Sequence, residues 1–392
     1  MRGHIVKRGK DSYTIVLELG QDPVTGKRRQ QWISIKGSKK EADAKLAETI
    51  DSINKGTYVR PTKTTLAEFL DRWLQDYVWP NLAPRTAEGY EHIIRQHLIP
   101  GLGQMVLTSI KPEHLQKYYG EKLRDGRRDG KGGLSPKTVR HHHITLHTAL
   151  QTAVKWGILM NNPADAVSAP RVHSPELHIW NEDEVSRFLE AARDTPYYEI
   201  FYLALFTGMR RSEVLALRWQ DVDLLFGQVY IRRTVHHLRD GSSVFRPPKT
   251  VKGRRAVALP PSAMLMLREW REKQERGRAM MGASLSDGDL LFGQLDGKPL
   301  LPDTITHAWI KLVRRLGLGQ VRLHDARHTH ASLMLKQGVH PKIVSERLGH
   351  AGIQITLDTY SHVAPGLQEA AAAGFDKLIP ARREAEEVKN SR

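Results

Sequence analysis

The hydrophobic pattern of this chain changes period twice along its length, and each change limits what the neighbouring segments can fold into. Within residues 1–60, "SYTIVLEL" (12–19) and "RRQQWISIKG" (28–37) alternate with a period of two, as strands with one buried face do. "GQDPVTGK" connects them and carries Pro23 and Gly26 for a turn. The next stretch, "SKKEADAKLAETIDSINKG", has Ser38 as an N-cap, Glu41 three residues on and Gly56 as a stop, which predicts a helix.

From residue 65 to 168 the period becomes helical, with Leu66, Phe69, Leu70, Trp73 and Leu74 repeating in "TLAEFLDRWLQDYV". "APRTAEGYEHIIRQHLIPGLG" predicts a helix ending at Pro100 and Gly101, and Pro112 and Pro136 stand in the first turns of two more. "DGRRDGKGG" lies between those two as a loop. "RPTKT" (60–64) and "SAPRVHSPEL" (168–177), which contain proline and lack periodicity, predict the boundaries. The expected fold class is multidomain α+β: a small sheet-plus-helix module over 1–60, an all-α domain over 65–168, and a mostly α domain with a small antiparallel sheet over 175–392.

Charge narrows the partners. With 60 Lys and Arg against 43 Asp and Glu, the net charge is +17, and no low-complexity tail accounts for it. Folded surfaces that neutralise phosphates are the leading explanation, so nucleic acid is the first candidate partner, with acidic lipid or protein surfaces the others. The first sixty residues alone hold thirteen Lys and Arg against seven acids, so their sheet is either a DNA-groove reader or a solvated accessory. No apolar run approaches twenty residues and the basic start lacks a secretory core, so we expect a cytoplasmic protein without a membrane partner. The absence of cysteine excludes disulfides, thiolate metal sites and a cysteine nucleophile. Three consecutive histidines, 141–143, point in different directions on a helix and cannot all ligate one ion; phosphate contact or exposed surface is the expectation there.

The last domain carries the chemistry. "YYEIFYLALFTGMRRSEVLALRW" reads as an apolar helix, a Thr-Gly break and a second helix with Arg210 in its first turn and Val214, Leu215 and Leu217 inward. A guanidinium there joins the free N–H groups of a helix start and suits an anion. Glu213, three residues on, is close enough to orient it, although an ordinary surface pair reads the same way. "GQVYIRRTVHHL" and "GRRAVALP" alternate as two strands, joined through "RPPKTVKG" with Lys249 and Lys252. A lysine on that turn can protonate a leaving alkoxide, or can simply be solvated. "VRLHDARHTHASLMLKQG" sets His324 and Arg327 on one helical face, opposite Ala331, Leu333 and Met334, and "HPKIVSERLGH" ends a helix at Gly349 before His350. Tyr360 follows in "LGHAGIQITLDTYSHV". A phenol ionises near ~10 and needs a base or cationic surroundings to attack at neutral pH, and these residues supply both. Two arginines meeting the charge on a five-coordinate phosphorus would each contribute about 3 kcal/mol, without a metal or other cofactor. Tyr197, Tyr198 and Tyr230 sit in apolar runs and read as core.

"TGMRRSEVLALRW", "PKTVKGRRAVALP", "LHDARHTHAS" and "LGHAGIQITLDTYSHV" together, in this order and spacing, resemble the tyrosine recombinases of the phage-integrase (lambda integrase) type, and the resemblance covers nearly the whole chain. It implies that 1–60 is an arm-site DNA-binding domain, 65–168 a core-binding domain and 175–392 the catalytic domain, the last two closing on DNA like a clamp. Tyr360 would attack a DNA phosphate to give a 3′-phosphotyrosine link and a free 5′-hydroxyl. Arg210 and Arg327 would hold the non-bridging oxygens, Lys249 would be general acid, His324 base, His350 a hydrogen-bond partner of the phosphate, and Glu213 a support for the site. Lys252 competes with Lys249 for its role. Double-stranded attachment sites, a homotetramer and host DNA-bending or directionality factors are the implied partners. The DNA contacts expected are Lys27, Arg28 and Arg29 in the first module and Arg85, Lys137 and Arg140 in the second. "LQEAAAAGFDKLI", an amphipathic stretch near the end, is suited to docking on a neighbouring subunit. Three alternatives differ in chemistry: a type IB topoisomerase, a metal-dependent nuclease or transposase, and a regulator that only binds DNA.

Overall fold

The structure is a computed structural model that describes residues 3–21, 26, 28–55, 62–172, 178–294, 296–360, 372 and 375. It divides into two compact units, Met1–Ser174 and Pro175–Arg392.

In the first unit three antiparallel strands lie side by side in chain order: β1 (Gly3–Gly9), β2 (Ser12–Gln21) and β3 (Arg28–Lys36). Alternation foretells β2 and β3 but not β1, where Ile5 and Val6 are adjacent and both half-buried. Helix α1 (Lys39–Asn54) starts at a capping box, the Glu41 N–H donating to Ser38 Oγ and the Ser38 N–H to Glu41 Oε2. It packs on the sheet and buries Ala42 and Thr49.

The helical part of this unit contains α2 (Leu66–Trp73), α3 (Pro84–Ile93), α4 (Pro112–Asp125) and α5 (Pro136–Lys155). Pro112 and Pro136 open their helices, as expected. Pro100 does not end one. After α3 the chain continues through a π turn, Ile94–Leu98, into Ile99–Leu102, and α2 likewise continues through Leu74–Val78 into Trp79–Asn81, which contains Pro80. An interior proline lacks an N–H and crowds the carbonyl four residues back. Moving the preceding bonds to a five-residue register, Trp79 N–H to Leu74 O and Ile99 N–H to Ile94 O, lets each helix pass its proline. The buried sets Leu70, Leu74, Val78 and Ile94, Leu98, Leu102 step by four residues, more than the 3.6 of an α turn, and the wider turn keeps each set on one face.

The histidine run differs from expectation as well. His142 is fully buried, with Nδ1 at 3.2 Å from the Tyr118 hydroxyl and its ring 4.6 Å from that of His97, and His143 Nδ1 meets the Tyr119 hydroxyl at 3.1 Å. Of the three only His141 is exposed, because a helix turned by about 100° per residue sends neighbours to different faces. Burial pushes the His142 pKa down to about 3, so it packs as a neutral ring.

The second unit is mostly helical: α6 (Glu182–Ala192), α7 (Tyr198–Thr207), the single turn α8 (Arg211–Val214), α9 (Pro261–Met280), α10 (Pro302–Leu316), α11 (Asp325–Lys336), α12 (Pro341–Leu348) and α13 (Ile353–Tyr360). It has two small sheets where one was expected. Strands β4 (Val222–Asp223), β5 (Gln228–Ile231) and β8 (Arg255–Ala258) form one, and the hairpin β6 (Thr234–His237) and β7 (Ser243–Arg246) forms the other. "GQVYIRRTVHHL" therefore splits at Arg232 and Arg233, which reach back to the buried Asp221 carboxylate. Trp180, Phe188, Phe201 and Trp309 make the centre of the core, with the Trp180 and Trp309 rings stacked at 5.2 Å and the Trp309 indole N–H donating to Val321 O. Tyr197 and Tyr198 pack at the edge of this core and are only half-buried; Tyr230 is half-buried under the Arg232 guanidinium. Trp309→Ala should lower the unfolding free energy by about 3–5 kcal/mol in a urea titration.

Candidate active site

Arg210 stands at the cap of α8 rather than inside its first turn, and α8 is a single turn, so anion binding there depends on the guanidinium and not on a helix dipole. Glu213, 1% exposed, receives the Arg210 Nη1–H at 2.8 Å and the Arg210 backbone N–H at 2.9 Å. The same carboxylate accepts two bonds from Arg255, at 3.2 and 3.0 Å. Burial works against the Glu213 charge, but the Arg255 guanidinium and then Arg210 outweigh it and hold the group below the ordinary carboxylate range. Arg255 also donates through Nε to Arg347 O, which ties β8 to the end of α12.

Arg327, on the first turn of α11, is buried. Its Nη1 donates to Gly208 O and its Nη2 to Leu348 O, at 2.9 and 2.6 Å. Gly208 ends α7 with φ +64, and a Cβ there would lie 2.6 Å from Leu348 and 2.8 Å from His330. His324 immediately precedes α11, on a turn fixed by the two-pronged Arg322–Asp325 ion pair. The residues of α11 that are buried with Ala331 are Asp325, Ala326, Arg327, Thr329, Ser332 and Leu335, whereas Leu333 and Met334 are half-buried.

Arg210, His324, Arg327 and His350 line one pocket of about 330 Å³, together with Thr250, His328 and Thr359. Lys249, beside Thr250, is exposed. Lys252 is engaged, its Nζ donating to Ala351 O at 2.7 Å. Tyr360 is the last residue of α13, directly after the pocket-lining Thr359, and its side chain lies outside the described residues. Burial first, then His328 and Arg327, lowers the His324 pKa to about 4; burial, then Arg327, Arg210 and Arg255, lowers that of His350 to about 4. Both rings are neutral at pH 7, so His324 can accept a proton. Among the described residues no cluster of His, Asp and Glu could hold a metal ion, and no helix is long and apolar enough to cross a membrane.

Of the expected DNA contacts, Arg85 and Lys137 are exposed in the first turns of α3 and α5 and Arg140 is exposed at the start of the second turn of α5, Arg85 also meeting Glu88 at 3.2 Å. Lys27 and the side chains of Arg28 and Arg29 lie outside the described residues, as does most of "LQEAAAAGFDKLI". Sequence reasoning did not single out Arg255, His328 or Thr250. Arg255 had a signal: it shares strand parity with the buried Val257, so alternation alone turns it inward.

A pocket of paired guanidiniums and neutral imidazoles is suited to transfer at a phosphodiester, and comparison with known proteins agrees. The model described as the phage integrase family matches residues 179–366, and that of the phage integrase N-terminal SAM-like domain matches 65–123. A tyrosine recombinase XerC-like protein of Caldanaerobacter subterraneus subsp. tengcongensis is 28% identical, over 95% of this chain and 98% of its own length. The ICEBs1 integrase of Bacillus subtilis is 26% identical, over 96% and 100%. Among solved structures, the Tn1549 transposon integrase in complex with a circular intermediate DNA shares the fold at a TM-score of 0.66, 20% identity, and coverage of 80% of this chain and 99% of that one. A lambda integrase tetramer bound to a Holliday junction shares it at 0.57, with 18% identity and coverage of 92% and 95%. The chain belongs to the phage integrase family. It is a tyrosine recombinase, an enzyme that cuts and rejoins DNA in site-specific recombination.

Two outcomes follow from these contacts. Glu213→Ala leaves buried Arg255 without its carboxylate and should destabilise the protein by about 3–5 kcal/mol in urea, with Glu213→Gln, which keeps one acceptor, falling between it and wild type. His324 and His350 have folded pKa values below the ordinary 6.5, so the unfolded chain takes up protons first. Their contribution to stability is complete above about pH 6.5 and is lost as pH falls toward 4, and urea midpoints measured across that range should decline accordingly.

Proposed function

We infer that Tyr360 is the nucleophile and that this chain is the integrase of a phage or other mobile element. The observation that carries the reading is the convergence of Arg210, His324, Arg327 and His350 on one pocket whose wall ends at the residue before Tyr360. The phenolic oxygen attacks a DNA phosphorus as the 5′-oxygen leaves, and the product is a 3′-phosphotyrosine ester. Arg210 and Arg327 hold the non-bridging oxygens while negative charge grows on the five-coordinate phosphorus. His324, neutral at pH 7, receives the phenolic proton, and Lys249 supplies one to the leaving 5′-oxygen. The engagement of Lys252 with Ala351 O supports Lys249 in that role. His350 donates to the phosphate, and Glu213 fixes Arg210. The ester conserves the bond energy, so a second 5′-hydroxyl reverses the step on a new strand without ATP, and two rounds within a tetramer exchange the duplexes.

The three segments have separate duties on this reading. Residues 1–60 bind arm sites through Lys27, Arg28 and Arg29, residues 65–168 grip the core site through Arg85, Lys137 and Arg140, and 175–392 carries the reaction and the docking segment. The partners are attachment-site DNA, further copies of the chain and host bending or directionality factors, and the place of action is the cytoplasm, where that DNA lies. The integrase names of the relatives support a mobile-element source.

A phosphorothiolate duplex of the attachment site, incubated with protein in EDTA and denatured in SDS, should give a shifted protein–DNA band with wild type and none with Tyr360→Phe. Retention of the band by Tyr360→Phe would overturn the nucleophile, and loss of wild-type activity in EDTA would point to metal-dependent chemistry instead.

A further inference from the structure

His350 is not held by its own turn alone. Its Nδ1 lies 2.8 Å from the hydroxyl of Thr356, and Thr356 is 0% exposed in the middle of α13. Tyr360 follows Thr356 at the i+4 position, about one helical turn on, so both sit on the same side of α13. The bond therefore joins the helix that ends at Tyr360 to the imidazole that lines the phosphate pocket.

The chemistry of that bond has a consequence for the ring. A neutral imidazole has one N–H and one lone pair, and phosphate oxygens only accept. For Nε2 to donate into the pocket, Nδ1 must carry the lone pair and receive a hydrogen bond. A hydroxyl can provide that bond; a carbonyl in its place would demand the opposite tautomer. Should the ring become cationic beside bound phosphate, the same hydroxyl can rotate and accept from Nδ1–H. Burial and the surrounding arginines keep His350 neutral, so at pH 7 the choice of tautomer decides whether the pocket has this donor.

We propose that Thr356 is a positioning residue for strand cleavage: its hydroxyl donates to His350 Nδ1, selects the Nε2–H tautomer, and makes that donor available only when the Tyr360 helix is seated. The proposal rests on the reading of Tyr360 and His350 given above. Thr356→Val keeps the branched shape and removes the hydroxyl, and Thr356→Ser keeps the hydroxyl and removes the methyl. In single-turnover trapping on the phosphorothiolate duplex, Thr356→Val should form the covalent adduct roughly tenfold or more slowly, the usual scale for losing a group that orients a site residue. DNA affinity should stay unchanged, and Thr356→Ser should recover most of the rate. Ring nitrogen shifts of the ¹⁵N-histidine-labelled full chain, with His350 assigned from the signal missing in His350→Ala, should show the Nε2–H tautomer in wild type and a mixture in Thr356→Val.

Equal rates for wild type and Thr356→Val, or a serine variant as slow as the valine one, would overturn the proposal, the second outcome assigning Thr356 to packing. An unchanged tautomer in Thr356→Val would overturn it as well. Absence of an adduct with wild type on bound DNA would instead sink the reading of Tyr360, so the two failures are distinguishable.

Discussion

A guanidinium cannot shed its charge when it is buried, and the catalytic unit is arranged around that constraint. Arg327 is enclosed and gives two of its N–H groups to backbone carbonyls, one at the end of α7 and one at the end of α12. Those two ends lead directly into Arg210 and His350, and Arg327 itself follows His324 by one turn. One side chain thus ties together three of the chain segments that line the pocket. Arg255 solves the same problem differently, sharing the buried Glu213 carboxylate with Arg210 and giving its Nε–H to the α12 carbonyl of Arg347.

The histidines complete the electrostatics by staying uncharged. His324, His328 and His350 line the pocket, and burial lowers the pKa of each before any neighbour adds to the effect. Cationic charge in the pocket comes from arginine, which is fixed, while the imidazoles remain able to donate at one nitrogen and accept at the other. This separation lets one site both attract a phosphodiester and move protons around it.

Much of this was legible from the sequence where a single rule governs. The capping box at Ser38 and the first-turn prolines Pro112 and Pro136 depend on local chemistry, and the order of the four motifs named the family. The sequence misled where two rules compete. Pro100 reads as a stop because proline removes a helical bond, but the π turn before it changes the register and the helix continues. His142 reads as polar surface, yet the helical period sends it into the core, where Tyr118 meets one nitrogen. Arg255 was overshadowed by Lys249, Lys252 and Arg254 in a basic run, and only strand parity distinguishes it as the inward residue. The bonds from Arg255 to Glu213 join residues 42 apart in the chain, and the contact of Thr356 with His350 turns on the direction of one hydroxyl, and no local pattern encodes those.

Gly208 gives this arrangement a dimension. Its carbonyl receives Arg327, its neighbour but one is Arg210, and the space a side chain would fill is already occupied by Leu348 and His330. Any larger residue would press α7 away from Leu348 on α12 and His330 on α11, and would shift the two guanidiniums relative to one another. The gauge of the cradle is therefore set by a missing side chain: the residue that contributes fewest atoms determines how closely the two arginines can converge.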